Sequence, residues 1–169
     1  AVKNQRDLTD YIVHTQYENL DLIPSSTLMS SIEYELFTKW QREFILKKCL
    51  QSIKESGAYD YILIDCPPSL GMLTINALAA SNEVLIPVQA HYLAAKGMTK
   101  LVGTVNKVKK QINPSLKING ILVTLAQMNT NLSKSTIYAI RENFGSNINV
   151  FDSVIPSAIK AGEAPIKGM

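Results

Sequence analysis

The chain has 169 residues, of which 46% are hydrophobic and 18% charged, and this composition is ordinary for a globular protein. Its net charge of +3 is too small to diagnose nucleic-acid binding, and no apolar run reaches the roughly 18 residues that a membrane span needs. The two cysteines, Cys49 and Cys66, lack metal-ligand spacing, so reduced thiols are expected. The length predicts a single domain over residues 1–169.

The predicted elements begin with a short strand at Leu20–Pro24, followed by Ser25-Ser26-Thr27, which offers N-cap chemistry for a helix. A second helix is expected to end at Gly57. Apolar residues mark the first helix and the inner side of the second. They are Leu28, Ile32, Leu36 and Phe37 in the first, and Trp40, Phe44, Cys49, Leu50 and Ile53 in the second.

The next elements are a buried strand at Tyr61–Ile64, a short helix at Leu70–Ala80 and a strand at Val84–Val88. The clearest helix is predicted for Tyr92–Ile112, because apolar residues recur there at steps of three and four. Asn113-Pro114 ends this helix. The residues expected on its core face are Met98, Leu101, Val105, Val108 and Ile112.

The last third of the chain is predicted to hold two strands, Ile118–Leu125 and Phe151–Ile155, around a helix that stops at Gly145. Ile137, Ile140 and Phe144 mark that helix. Because strands alternate with helices, the sequence predicts an α/β fold, with a mostly parallel sheet and helices on both faces.

A carboxylate, Asp65, stands where the Tyr61–Ile64 strand is expected to end, and Pro67 and Pro68 then take the backbone out of the sheet. In open α/β sheets, ligands bind outside the carboxyl ends of the strands. Asp65 therefore suits a Mg²⁺ ion held beside a nucleotide phosphate, in a Walker-B-like arrangement. The strand alone leaves an equal alternative, in which Asp65 caps the following turn.

A longer series of motifs resembles the ParA/Soj branch of the ParA/MinD partition ATPases, which are P-loop NTPases. The order and spacing of these motifs make the resemblance specific, and it covers most of the chain from Leu20 onward. The motifs are Asp65–Gly71, Thr74–Leu78, Val84–Gln89, Gly120–Thr124, Thr130–Ser133, Val154–Pro156 and Gly162–Pro165.

The family's phosphate-binding loop is missing from this sequence. That loop needs clustered glycines and a Lys that reaches the terminal phosphates. The chain has eight glycines, but no two are adjacent and none precedes Lys-Ser or Lys-Thr. Because the family pattern is cut at both ends, we expect the chain to be the C-terminal portion of a longer ATPase domain. A short gene for a loopless relative is the alternative.

The resemblance implies roles for the residues around Asp65. Asp65 would hold Mg²⁺, through water, and Pro67 and Pro68 would lie at the nucleotide. Together with Ser69, Leu70 and Gly71, the two prolines would form a switch-like segment that senses the γ-phosphate. Gly71 has an alternative role as a simple helix-start turn.

The resemblance also implies roles for residues at later strand ends. Gln89 would line a second flexible region near a dimer interface. Thr124 and Pro156 match the positions that contact adenine, although relatives often have Asn at the first, and Pro156 alternatively only terminates a strand. Glu163 fits a loop beside the nucleotide and the dimer face.

DNA binding is implied by the family but altered in this sequence. Asn129 and Ser157 stand where the branch usually has Arg, and Lys160 replaces a further common Arg. Lys160 remains the candidate DNA contact, although a Lys does not replace a bidentate Arg. We expect DNA binding to be weaker, or supplied by other lysines or by a further C-terminal segment.

The implied function is segregation of plasmid, chromosome or mobile-element DNA by a cytoplasmic, nucleoid-associated ATPase without a membrane anchor. MgATP would close a homodimer that binds DNA without sequence preference, and a ParB-like partner would trigger hydrolysis. Without the phosphate loop, this chain alone is expected to be inactive. The alternatives are a non-enzymatic interaction module and, less favoured, a MinD-like positioning ATPase, which needs a C-terminal amphipathic helix.

The absent loop also has a structural consequence. In the family, the strand that bears the loop lies beside the Walker B strand, so its removal exposes unpaired sheet edges. We therefore expect the isolated chain to be unstable, or to pair with another copy or with the missing segment.

Overall fold

The computed structural model describes residues 7–26, 29–160 and 163. They form two compact units. The first unit draws its residues from Ala1–Asn82 and Lys107–Leu116, and the second from Glu83–Asn106 and Lys117–Met169. Each unit has its own hydrophobic core.

The first unit opens with two short antiparallel strands, β1 (Val13–His14) and β2 (Asp21–Leu22). In their register, Val13 lies opposite Leu22 and His14 opposite Asp21. A strand is therefore present within the predicted Leu20–Pro24, but it is shorter than expected and belongs to a separate, antiparallel pair.

The described residues of this part of the chain form four α-helices: α1 (Met29–Leu36), α2 (Ile45–Cys49), α3 (Gln51–Ser56) and α4 (Met72–Ala80). Gly57 ends α3 with a φ of +64°, as predicted. The predicted residues Thr27 and Leu28, at the start of the first helix, lie outside the described residues.

The predicted second helix is wrong at its start. Gln41 has a φ of 52°, and this left-handed residue turns the chain before a short 3₁₀ turn at Arg42–Phe44. Trp40 therefore lies outside any helix and is 86% exposed, although it was expected on an inner face. Ile45 and Cys49 of α2, in contrast, are buried.

The predicted buried strand at Tyr61–Ile64 is also wrong. The segment pairs with no strand among the described residues, and Tyr61 and Leu63 are 85% and 91% exposed. An apolar run becomes a buried strand only when neighbouring strands and helices cover it. Of the four residues Tyr61–Ile64, Ile64 alone packs against the core of this unit. That core is formed by Leu8, Leu36, Ile45, Cys49, Leu50, Ile53, Met72 and Ala80.

The second unit contains a three-stranded parallel sheet in the order β3-β4-β5. The strands are β3 (Glu83–Gln89), β4 (Lys117–Ala126) and β5 (Val150–Pro156), each one residue longer at both ends than predicted. Along β3, Ile86 and Val88 are buried while the alternating residues are exposed, because successive side chains point to opposite faces.

Two long helices accompany this sheet, α5 (Tyr92–Gln111) and α6 (Asn131–Phe144). The predicted core face of α5 is confirmed at Met98, Val105 and Val108, which are buried. The alternation of strands and helices confirms the α/β class and the parallel sheet. Within the described ranges, no helix combines the length and apolarity needed to cross a bilayer.

Candidate nucleotide and magnesium site

Asp65 is exposed to solvent in a segment, residues 58–70, that belongs to no helix or strand. Two contacts anchor the segment before it: the hydroxyl of Tyr59 donates to Asp21 Oδ2 at 2.6 Å, and Ile64 packs against the core. The carboxylate of Asp65 makes no hydrogen bond or ion pair with another described residue. It is also exposed, so an external ligand can reach it.

Cys66 follows Asp65 directly, and its thiol Sγ lies 3.7 Å from the carbonyl oxygen of Ile64. The residue reaches solvent, but partial desolvation of the thiol raises its pKa, and the neighbouring Asp65 carboxylate raises it further. Negative charge at Asp65 thus opposes formation of a thiolate beside it, so a smaller fraction of Cys66 is thiolate than in an unperturbed exposed cysteine.

The segment before α4 is exposed at Pro67, Pro68 and Ser69. One side-chain hydrogen bond connects it to the helix. The hydroxyl of Thr74 donates to the carbonyl oxygen of Ser69 at 2.6 Å. Thr74 is buried on the first turn of α4, so the end of the proline segment moves with the start of this helix.

Helix α4 is itself held by Asn76, which is 2% exposed. Its Nδ2 donates to the carbonyl oxygens of Arg42 and Met72 at 2.8 and 3.0 Å, and its Oδ1 accepts from the amide of Leu46 at 3.1 Å. One side chain therefore satisfies backbone groups of the 3₁₀ turn, α2 and α4 at once. This explains why an Asn stands among apolar neighbours in the Thr74–Leu78 motif.

In the second unit, the predicted residues at the carboxyl ends of the strands lie on one edge of the sheet. Gln89 of β3 is in register with Thr124 of β4, and Pro156 of β5 is in register with Ala126. The Thr124 hydroxyl is half-buried and donates to the carbonyl oxygen of Val88 at 3.4 Å. Its contact with its own sheet leaves the oxygen able to accept one further hydrogen bond.

Leu125 is a feature of this edge that the sequence did not indicate. Its φ is 50°, a left-handed conformation that a branched residue rarely adopts, and its side chain is 50% exposed. It lies where the β4–β5 register is irregular, next to Thr124. No Gly or Asn at this position offered a signal for the bend.

The remaining predicted residues stand on the surface of the second unit. Lys160 and Glu163 are exposed, as are Asn129 and Ser157. The backbone amide of Ser157 donates to Ala126 at 3.0 Å, which continues the sheet edge past Pro156. Gly162, Ala164 and Pro165 of the same motif lie outside the described residues.

Magnesium is compatible with Asp65 as a single carboxylate ligand. Mg²⁺ usually keeps several waters and takes only one or two carboxylates beside the substrate's phosphates. Across residues 7–26, 29–160 and 163, no three His, Cys, Asp or Glu side chains gather to hold a metal on their own. An ion at Asp65 therefore needs water and phosphate oxygens as its remaining ligands.

Several known proteins are similar to this chain in sequence. A family model described as "AAA domain" matches residues 1–118. The sporulation initiation inhibitor protein Soj of Bacillus subtilis is 44% identical over 162 residues, covering 96% of this chain and 62% of the relative. The chromosome partitioning protein ParA of Caulobacter vibrioides is 37% identical over 168 residues, covering 99% of this chain and 62% of the relative.

A solved structure gives the same architecture. The cobyrinic acid a,c-diamide synthase of Mycobacterium smegmatis, solved with bound ADP and magnesium, is 31% identical and superposes with a TM-score of 0.82. The match covers 93% of this chain and 62% of the synthase.

The fold and the family match define an α/β protein of the AAA-domain class. The chain belongs to the AAA-domain family, and within it to the ParA/Soj type. It spans about three-fifths of the length of the relatives that it matches, 62% of both Soj and ParA.

Proposed function

We propose that this chain is part of a ParA-type ATPase that segregates plasmid, chromosome or mobile-element DNA. The observation that carries the proposal is the exposed carboxylate of Asp65, which leads directly into a proline segment fixed to α4 through Thr74 and Ser69. An acid that meets a metal, followed by a segment that can respond to a phosphate, is the arrangement that nucleotide switches use.

Asp65 would hold Mg²⁺ through water, and the metal would neutralise charge on the nucleotide's phosphates. Pro67 and Pro68 have no amide hydrogens, so they would meet the nucleotide through their rings and backbone carbonyls and not as donors to its phosphates. Ser69 and Gly71 would then convey a change in this segment to the start of α4. The phosphate loop needed to bind ATP is not among these 169 residues, so turnover requires a loop from elsewhere.

Thr124 and Pro156 would contact the adenine base. The Thr124 hydroxyl is the group with spare hydrogen-bonding capacity, while Pro156 would offer an apolar surface and a backbone carbonyl. Gln89, in register with Thr124, would lie close enough to respond to the same ligand. This edge is a carboxyl end of parallel strands, where ligands of α/β proteins bind.

The proposed assembly is a cytoplasmic, nucleoid-associated homodimer that binds DNA without sequence preference. Exposed Lys160 would pair with DNA phosphates and exposed Glu163 would contribute to the dimer face. A ParB-like partner would stimulate hydrolysis and thereby release the DNA.

A non-enzymatic interaction module is the second candidate, and it applies if no phosphate loop precedes these residues in the gene. The gene sequence upstream of the Ala1 codon separates the two. An in-frame strand followed by Gly-Gly-x-Gly-Lys-Thr supports the ATPase. A start codon directly before Ala1 supports the module.

The role of Asp65 is tested by MgATP hydrolysis in the full-length protein. Asp65→Asn removes the charge at nearly constant size, and we expect kcat to fall at least about 100-fold. Asp60→Asn is the matched control, because Asp60 is an exposed acid of the same segment. Equal turnover of Asp65→Asn and Asp60→Asn would remove Asp65 from the mechanism.

A further inference from the structure

Glu33 of α1 reaches the start of α4, 39 residues further along the chain. Its Oε1 accepts a hydrogen bond from the backbone amide of Met72, at an N···O distance of 2.5 Å. Met72 is the first residue of α4, so this amide is one of the helix's unpaired donors. A carboxylate there also meets the positive end of the helix dipole.

The Glu33 carboxylate lies in the space that a side chain at position 71 would fill, and Gly71 leaves this space open. A Cβ atom built on Gly71 would collide with the carboxylate of Glu33. The backbone of Gly71 is extended, with φ −84° and ψ −166°, a conformation open to any residue. The glycine is therefore required by the close approach of Glu33 and not by the backbone angles.

The Glu33 contact holds the same turn that anchors the proline segment. Thr74 ties Ser69 to this turn, the amide of Ile75 donates to the carbonyl oxygen of Gly71 at 3.1 Å, and Asn76 holds the carbonyl of Met72. These bonds fix the turn from within, and Asn76 also ties it to the 3₁₀ turn by donating to the carbonyl oxygen of Arg42. Glu33 is the contact that fixes it to α1.

We propose that Glu33 is a positioning residue for the switch-like segment Pro67–Gly71. Its carboxylate sets where Gly71 and Met72 lie, and so sets the fixed end from which Pro67–Ser69 extends to the nucleotide. Glu33 acts through the Met72 amide and touches no reacting atom. The consequence for catalysis rests on the function proposed above, whereas the mechanical role does not.

The test uses the full-length protein and two readouts, amide hydrogen exchange at Ser69–Met72 and the kcat and KM for MgATP. Glu33→Ala should speed exchange at these amides about tenfold, because a charge-assisted hydrogen bond is lost. We expect kcat to fall about fivefold or more while KM stays within about twofold, since the binding groups are untouched. Glu33→Gln, which keeps an acceptor oxygen, should restore most of both.

Glu55→Ala is the matched control, since Glu55 is an exposed acid on α3 whose carboxylate accepts a bond from Gln51 of the same helix. It should change neither readout. Gly71→Ala gives a second route, because the added methyl displaces the carboxylate. In the Glu33→Ala background the same methyl should cost little, since the clashing group is gone.

Three outcomes decide the proposal. Faster exchange and a lower kcat in Glu33→Ala, with rescue by Glu33→Gln, support it. Unchanged exchange overturns it, and faster exchange with unchanged kcat in an active enzyme reduces the contact to a structural cap. If the unsubstituted protein hydrolyses no ATP, the proposed function fails, while the exchange comparison still decides whether Glu33 holds the segment.

Discussion

The side-chain nitrogen Nδ2 of Asn113 lies 2.8 Å from the carbonyl oxygen of Ser81, the residue at which α4 ends. The same nitrogen donates to the carbonyl of Leu78 at 3.0 Å. The last carbonyl oxygens of a helix have no donor within the helix, so the Asn113 side chain supplies the donor for these oxygens at the end of α4. From the sequence, Asn113-Pro114 was predicted to end α5, and its contact with the end of α4 was not predicted.

Replacing Asn113 should therefore destabilise the fold. Asn113 is 6% exposed, so Asn113→Ala leaves buried carbonyls without a donor, and we expect a loss of about 2–3 kcal/mol in the free energy of unfolding. Urea denaturation measures this. Asn106→Ala, an exposed position on α5, should change stability by less than about 0.5 kcal/mol. Equal effects of the two substitutions would refute the capping role.

Substitutions at a buried and at an exposed position of α6 should differ strongly in their effect on the stability of the second unit. Ile140 is fully buried and packs in the cluster with Ile86, Ile121 and Val123, whereas Leu132 on the same helix is 57% exposed. Ile140→Ala should cost about 3–4 kcal/mol through lost burial and a cavity. Leu132→Ala should cost under about 1 kcal/mol. Thermal and urea unfolding of both variants provide the comparison.

Thr130 caps α6, and the loss of this cap should be measurable. Its Oγ1 accepts a hydrogen bond from the amide of Ser133 at 3.3 Å, while the Ser133 hydroxyl accepts from the amide of Gln127 at 3.2 Å. Thr130→Ala should destabilise the fold by about 1 kcal/mol, and Thr130→Ser, which keeps the oxygen, should recover most of it. Denaturation in which Ser is no better than Ala would contradict the capping account.

Tyr59 and Asp21 predict a pH-dependent contribution to stability. The hydrogen bond from Tyr59, and after it the one with His14, hold the pKa of Asp21 below its ordinary value of 3.8. The pKa of Asp21 is lower in the folded state than in the unfolded state. The stabilisation is therefore fully present above the unfolded-state pKa and is lost as pH falls through the folded-state pKa. Tyr59→Phe should therefore be less stable than the unsubstituted protein at pH 7.

The stability difference should shrink as the medium is acidified, until the two unfolding curves converge below the folded pKa of Asp21. Tyr61→Phe is the control, because the Tyr61 side chain is 85% exposed. A stability difference for Tyr59→Phe that stays constant from pH 7 down to acid would rule out the Asp21 linkage.

Apolar patterns in the sequence were enough to predict the three strands β3, β4 and β5 and the helix α5. The strands are apolar runs and α5 has apolar residues at steps of three and four, and patterns of that length are seldom overridden by packing. Tyr61–Ile64 and Trp40 show the opposite case. Four apolar residues do not specify which strands will flank them, and a left-handed Gln41 carries no signal in its side chain.

The candidate site divides in the same way. Asp65–Gly71 and the strand ends at Gln89, Thr124 and Pro156 are continuous motifs, so their positions could be chosen from the sequence. Glu33 could not, because its contact with Met72 joins residues 39 apart and leaves no local pattern. Gly71 is the one part of that contact that the sequence shows, because a glycine before a helix allows another group to pack close to the backbone.

The two cysteines differ in a way that offers an experimental handle. Cys49 is buried at 1% exposure and its pKa is raised by burial, whereas Cys66 reaches solvent beside Asp65. In a chain with these two thiols, a maleimide dye should attach at Cys66 and spare Cys49 while the protein stays folded. Fluorescence from that single dye would report any change in the proline segment as it happens, without altering Asp65 itself.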